Sequence, residues 1–165
     1  MDRSVWSKIH QHARCDYPAE CCGIVSEASD GAFRVHPCEN IQDRLHARNP
    51  EEHPRTSKNA YRMDDLEVHR IFTETESAGG RVVAFYHSHV DCGAYFSEED
   101  RQAAMFMDQP AFPEVVYVVV SVVEGAVRGA AGFAWDERTK TFAKKALEGY
   151  DPGIRQGSHR SHGRL

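Results

Sequence analysis

Apolar positions along the chain follow two periods. Val5, Trp6, Ile9 and Ala13 recur at helical spacing, which predicts an amphipathic helix over 4–15 that Tyr17-Pro18 ends. The run CGIVSE, 22–27, reads as a short buried strand. Asp30-Gly31 is a turn pair, and AFRVHP from Ala32 supplies the return strand of a hairpin. Residues 39–60 are polar, contain Pro50 and Pro54, and predict a long loop of the kind compact domains keep for function. Asp64 with Glu67 three residues later resembles a helix start; Leu66, Val68, Ile71 and Phe72 give that helix a face, and Gly79-Gly80 stops it.

RVVAFYHSH, 81–89, is a strand by its β-branched and aromatic content. A loop, VDCGAYF, leads to a helix that should start at Ser97 and run to about Met107. Residues 114–123 are apolar almost throughout, the pattern of a central strand covered on both faces. Glu124-Gly125 turns the chain into an antiparallel neighbour over 127–135, and 140–147 fits a last strand or a short helix equally. After Gly149 the composition shifts to Gly, Ser, His and Arg, so one domain over 1–149 with a disordered tail over 150–165 is expected. The class is α/β, with a mixed, largely antiparallel central sheet flanked by helices.

Composition narrows the setting. A chain of 165 residues that is 41% apolar can build one real core. Its longest apolar run, Val115 to Val123, is too short for a bilayer, and the N-terminus lacks a signal-peptide core, so a cytoplasmic protein off the membrane is expected. The five cysteines are odd in number, Cys21 and Cys22 are adjacent, and no C-x-x-C occurs. That argues against a disulfide framework or a cysteine zinc cluster and for reduced thiols. The formal charge is −5 although the last twelve residues hold three arginines and no acid, and so acidic a body disfavours nucleic acid as a partner.

The candidate chemistry starts at His87-Ser88-His89. Strand periodicity of two turns both imidazoles to one side, where they can share a metal ion. Ten histidines in the chain make such a tripeptide as easily accidental. Asp100 follows His89 after ten residues, in the first turn of the helix that Ser97 would cap. Turned back towards the strand end, its carboxylate gives two nitrogens and one oxygen with a fourth position open, the pattern of a catalytic zinc site. Ser97 and Asp100 are equally explained as helix-capping residues.

The stretch HSHVDCGAYFSEED resembles the signature of the JAMM (MPN-plus) zinc metalloprotease family: H-x-H, seven residues, Ser, two residues, Asp. The family's upstream Pro-x-Glu-x-Cys-Gly is matched by Pro18-Ala19-Glu20-Cys21-Cys22-Gly23, and the strand around Tyr117–Val122 resembles its third recurring block. The resemblance extends over roughly 4–135 and is to the small prokaryotic single-domain type. It implies the MPN fold, which is similar to cytidine deaminases, with zinc on His87, His89 and Asp100. It further implies that Glu20 handles the proton of the attacking water and that Ser97 stabilises the tetrahedral intermediate. The implied reaction is hydrolysis after the C-terminal Gly-Gly of a ubiquitin-like or sulfur-carrier protein. The alternative is a non-catalytic MPN-type interaction scaffold. A zinc deaminase is set aside, because its H-x-E and P-C-x-x-C are missing.

This chain departs from the family pattern at Val90, where proline is common, and in the proline-free loop Asp91–Phe96. Cys92 in that loop reads as an ordinary small residue; as a hypothesis it is a redox-sensitive one, which an unchanged oxidant response in Cys92→Ala would end. Cys22 reads as core, and His159 and His162 as part of a solvated tail.

Overall fold

The computed structural model describes residues 1–152. Helix α1 (Arg3–Asp16) begins where the Asp2 carboxylate accepts the Val5 N–H. Strands β1 (Cys22–Glu27) and β2 (Phe33–Cys38) form the expected hairpin, with Gly31 at φ 83° in its turn. Helix α2 (Gln42–Arg48) and helix α3 (Asp65–Ser77) precede strand β3 (Arg81–Val90). Helix α4 (Glu98–Ala103) leads to a minute hairpin, β4 (Met105–Phe106) and β5 (Gln109–Pro110). Strands β6 (Val116–Val123), β7 (Ala126–Asp136) and β8 (Thr141–Lys145) follow, the last elements among the described residues. The ambiguous 140–147 segment is thus a strand.

The main sheet runs β2-β1-β3-β6-β7-β8. Only the β3–β6 pairing at its centre is parallel; its other pairings are antiparallel. Alternation along the two central strands splits the core in two. Ala84, Tyr86, Val118, Val120 and Val122 face Val5, Trp6, Ile9 and Ala13 of α1. Phe85, Tyr117 and Val119 join the cluster that holds Ile71, with Val68 and Phe72 of α3 packed against it. A strand covered on both sides has no polar face to show, which is why β6 reads as continuous apolar sequence. Tyr150 packs edge-on against Trp6, so its ring belongs to the folded domain. The remainder of the expected tail, 153–165, lies outside the described residues. Among the described residues no helix is long and apolar enough to cross a membrane.

Two local expectations change. Residues 39–60 contain α2, which the pattern of apolar residues does not announce because polar bonds hold it. Gln42 Nε2 donates to the Arg55 carbonyl, and the Asp43 carboxylate accepts the Ser57 N–H and hydroxyl at 2.7 and 2.6 Å. Helix α4 stops at Ala103 instead of reaching Met107. Met107 and Asp108 take positive φ (46° and 62°) as the two-residue tip of the β4–β5 hairpin, a geometry incompatible with a continuing helix.

Gly23 owes its identity to its neighbour. It pairs with Tyr86 across β1–β3, and the Tyr86 ring lies so close that a Cβ at position 23 would meet it at 2.4 Å. Tyr86 is buried and its hydroxyl bonds His12 Nδ1 at 2.8 Å, so the ring has no free direction to yield. Gly23→Ala is expected to destabilise the fold by about 1–3 kcal/mol through overpacking, read as a lowered denaturation midpoint.

Candidate metal centre

The site forms at the C-terminal ends of the central parallel strands, the usual location for ligands in sheets of this kind. Residues 87 and 89 share the β3 face that also carries Phe85. Antiparallel pairing sets Cys22 opposite His87, so Glu20, two residues before Cys22, arrives level with His89. Ser88, the residue between the histidines, locks this register. Its N–H donates to the Cys21 carbonyl at 3.0 Å, and its hydroxyl accepts the Cys21 N–H at 2.8 Å.

Asp100 comes from the other side on α4. The capping box is real: the Ser97 hydroxyl accepts the Asp100 N–H (3.0 Å) and Asp100 Oδ2 accepts the Ser97 N–H (2.8 Å). The same carboxylate lies 3.1 Å from His87 Nε2 and 3.4 Å from His89 Nε2. Capping and convergence on the histidines are therefore compatible, because the cap fixes the carboxylate where the imidazoles end.

The three side chains offer ligand atoms within 4.8 Å of one another and could hold a metal ion. Their chemistry fits one. His87, His89 and Asp100 are only 1%, 5% and 7% exposed. His87 Nε2 is buried and lacks a hydrogen-bond partner, since Asp100, though near, is out of line for it. A buried orphan nitrogen is costly unless something accepts its lone pair. The His89 Nδ1 lies 3.0 Å from the Gly93 carbonyl; as a donor there it leaves Nε2 turned into the cluster as an acceptor.

Electrostatics follow the same geometry. Burial pushes the Asp100 carboxyl up, but the two imidazoles beside it outweigh this and hold it well below the usual carboxylate range. Burial lowers His87, while His89, also opposed by burial, is raised on balance by Asp100 and the Gly93 carbonyl. Burial drives the Glu20 carboxyl up to about 7, with His89 pulling the other way.

Glu20, His89, Ser97 and Asp100 line one cleft of about 270 Å³. These are four of the five candidate residues read from the sequence, and His87 joins them through its grouping with His89 and Asp100. Others were not foreseen. Tyr61 stacks on His87 with ring centroids 4.4 Å apart, and Tyr95 meets His89 edge-on at 4.8 Å. Arg55 reaches across the cleft to Glu99 at 2.5 Å. Tyr61 and Arg55 lie in or just after the polar segment read as a loop, where an aromatic residue with no periodic partner was the one available hint. Cys92 also lines the cleft, and burial raises its thiol.

Comparison with known proteins agrees with this architecture. The model of the prokaryotic homologs of the JAB domain matches residues 2–136. The chain is 32% identical over 120 residues to a protein named desampylase from Haloferax volcanii, covering 72% of this chain and 73% of that protein. It is 33% identical over 101 residues to tail tip assembly protein K of Escherichia phage N15, covering 61% of this chain but 34% of that protein. Two solution structures share the fold. A Desulfitobacterium hafniense protein has a TM-score of 0.60 at 19% identity, with 87% of each chain covered. A Salinibacter ruber protein has a TM-score of 0.56 at 24% identity, covering 99% of this chain and 100% of that one. With the family model matched from residue 2 to residue 136, the chain belongs to the prokaryotic homologs of the JAB domain.

Proposed function

We propose that this protein is a zinc metallopeptidase that hydrolyses the bond after the C-terminal Gly-Gly of a ubiquitin-like or sulfur-carrier protein. The observation that carries the reading is the orphaned His87 Nε2 beside His89 and Asp100, in a site whose cleft also presents Glu20. His87, His89 and Asp100 would hold the metal; zinc there supplies Lewis acidity that activates water and polarises a carbonyl. Family membership and the likeness to desampylase support a deconjugating hydrolase.

Glu20 is the proton carrier in this reading. A buried carboxylate that lines the same cleft can take a proton from the attacking water and return it to the leaving amine. The Ser97 hydroxyl accepts the Asp100 N–H, which leaves its own proton free for the oxyanion of the tetrahedral intermediate. Burial of the ligand side chains argues for glycine at the scissile end. A tail without Cβ atoms lets its backbone approach a recessed site closely.

The test joins metal content to cleavage. Purified protein is expected to contain one zinc per chain by elemental analysis and to cut a ubiquitin-like Gly-Gly fusion, with activity lost on chelation and regained with zinc. A folded protein that takes up no zinc and cuts no such fusion would favour the interaction scaffold. Ser97→Ala is expected to lower kcat by about 10²-fold, the usual effect of deleting one oxyanion donor, and to cost about 1 kcal/mol of stability through the lost cap. A wild-type kcat in a Ser97→Ala protein with the cap loss evident would leave Ser97 as a capping residue alone.

A further inference from the structure

We propose that Asn40 is the positioning residue that sets Glu20 against the two histidines, by bonding simultaneously to the peptide of Glu20 and to both flanks of Tyr61. The inference rests on the role proposed for Glu20 and extends it to a residue outside the motifs named above. Asn40 follows β2 and has nothing in its sequence surroundings to mark it. Its amide is nonetheless saturated. Nδ2 donates to the Glu20 carbonyl at 2.9 Å and to the Ala60 carbonyl at 3.0 Å. Oδ1 accepts the Gln42 N–H at 3.0 Å and the Arg62 N–H at 3.1 Å. A primary amide offers two donors and one acceptor oxygen with two lone pairs, so each is used once.

The partners explain what the side chain does. Ala60 and Arg62 bracket Tyr61, whose ring stacks on His87 at 4.4 Å. Glu20 is held on its other side by its own N–H, which donates to the Ser57 carbonyl at 2.7 Å. The neighbouring backbone adds a bond from the Ile41 N–H to the Arg62 carbonyl at 2.8 Å. Glu20 precedes β1 and so lies outside the sheet's regular ladder. Without Asn40 its carbonyl would lose its donor, and the Tyr61 segment would lose the link that holds it at a fixed distance from Glu20. One amide therefore spaces the carboxylate that handles protons and the ring that backs His87. Misplacing a catalytic group by about 1 Å can cost about 10²-fold in rate.

Two substitutions divide the amide. Asn40→Ala removes all four bonds. Asn40→Asp keeps an acceptor for Gln42 and Arg62 but turns an oxygen towards the Glu20 and Ala60 carbonyls. Both variants are expected to lower kcat about 10- to 100-fold on a Gly-Gly fusion with KM little changed and zinc stoichiometry retained. Amide hydrogen exchange provides a readout independent of turnover. The Glu20 and Cys21 amides should exchange faster in both variants, and the Arg62 amide faster in Asn40→Ala alone, while β3 and β6 amides keep wild-type protection. If Asn40→Ala fails to fold, Asn40→Asp and the protection of the Asn40 side-chain amide protons in the wild-type protein still decide the matter. Wild-type kcat in both variants, wild-type exchange at Glu20, or freely exchanging Asn40 side-chain protons would each overturn the proposal. A wild-type protein no more active than Glu20→Gln would instead overturn the proposed function, and the exchange pattern would remain to judge the bonds.

Discussion

Glu20→Gln is expected to lose at least about 10²- to 10⁴-fold in kcat, the contribution of a positioned proton carrier, while the metal-free protein becomes more stable above pH 7. The two effects have one cause. Glu20 is 6% exposed, and burial raises its carboxyl from an ordinary value to about 7. In the unfolded chain the same group ionises near 4.5. Between those values the folded protein holds a proton that the unfolded chain has released. Stability therefore falls as pH rises from about 4.5 to 7 and stays reduced above 7. Glutamine fills the same space without a charge to desolvate. The variant's advantage should be nearly absent near pH 4, grow through the window and level off above it, at on the order of 3 kcal/mol. Thermal melts of chelator-treated protein at pH 4.5 and pH 8 read this directly. A bound cation would favour the carboxylate and shrink the difference, so the same melts with zinc should bring the two proteins closer. Wild-type turnover in Glu20→Gln would remove Glu20 from the mechanism.

Such a residue could be read from the sequence only by its motif. As an isolated carboxylate after Pro18 it carries no pattern that marks burial, and its burial depends on pairing between β1 and β3, which are far apart in the chain. The histidines were legible for a local reason: strand period alone sets 87 and 89 on one face. Asp100 stood between, since the capping pattern that made it explicable without a metal is also what places its carboxylate. The elements with apolar periodicity, α1, α3, β3 and β6, emerged where the pattern put them. Helix α2 did not, because its seven residues bury Gln42 alone and are held by bonds to Arg55 and Ser57. Tyr61, Arg55 and Asn40 were hidden for the same reason. Tyr61 stacks on His87, Arg55 pairs with Glu99, and Asn40 bonds Glu20, Ala60 and Arg62; contacts between residues so distant in the chain leave no period in a sequence.

Asp100→Asn should abolish zinc binding and turnover in a protein that still folds, and the contrast with His87→Ala makes the result diagnostic. An asparagine at 100 keeps the shape of the side chain and an oxygen that can accept the Ser97 N–H, so α4 retains most of its cap. It loses the negative charge, which sits 3.1 and 3.4 Å from the two imidazole nitrogens. Losing a residue that merely orients a ligand typically costs 10- to 100-fold in metal affinity, so loss of a ligand should exceed about 10²-fold. His87→Ala removes a proposed ligand too, but His87 is 1% exposed and carries the stacked ring of Tyr61. Its deletion leaves a cavity beneath Tyr61, and a loss of about 2–4 kcal/mol is expected, in line with large-to-small core substitutions. Zinc stoichiometry should therefore fall in both variants, whereas the denaturation midpoint measured with chelator present should fall sharply only in His87→Ala. Full zinc occupancy in Asp100→Asn would show that the carboxylate is no ligand and serves α4 alone. If chelator-treated His87→Ala melts with the wild type, the packing of Tyr61 on this imidazole contributes nothing to the fold.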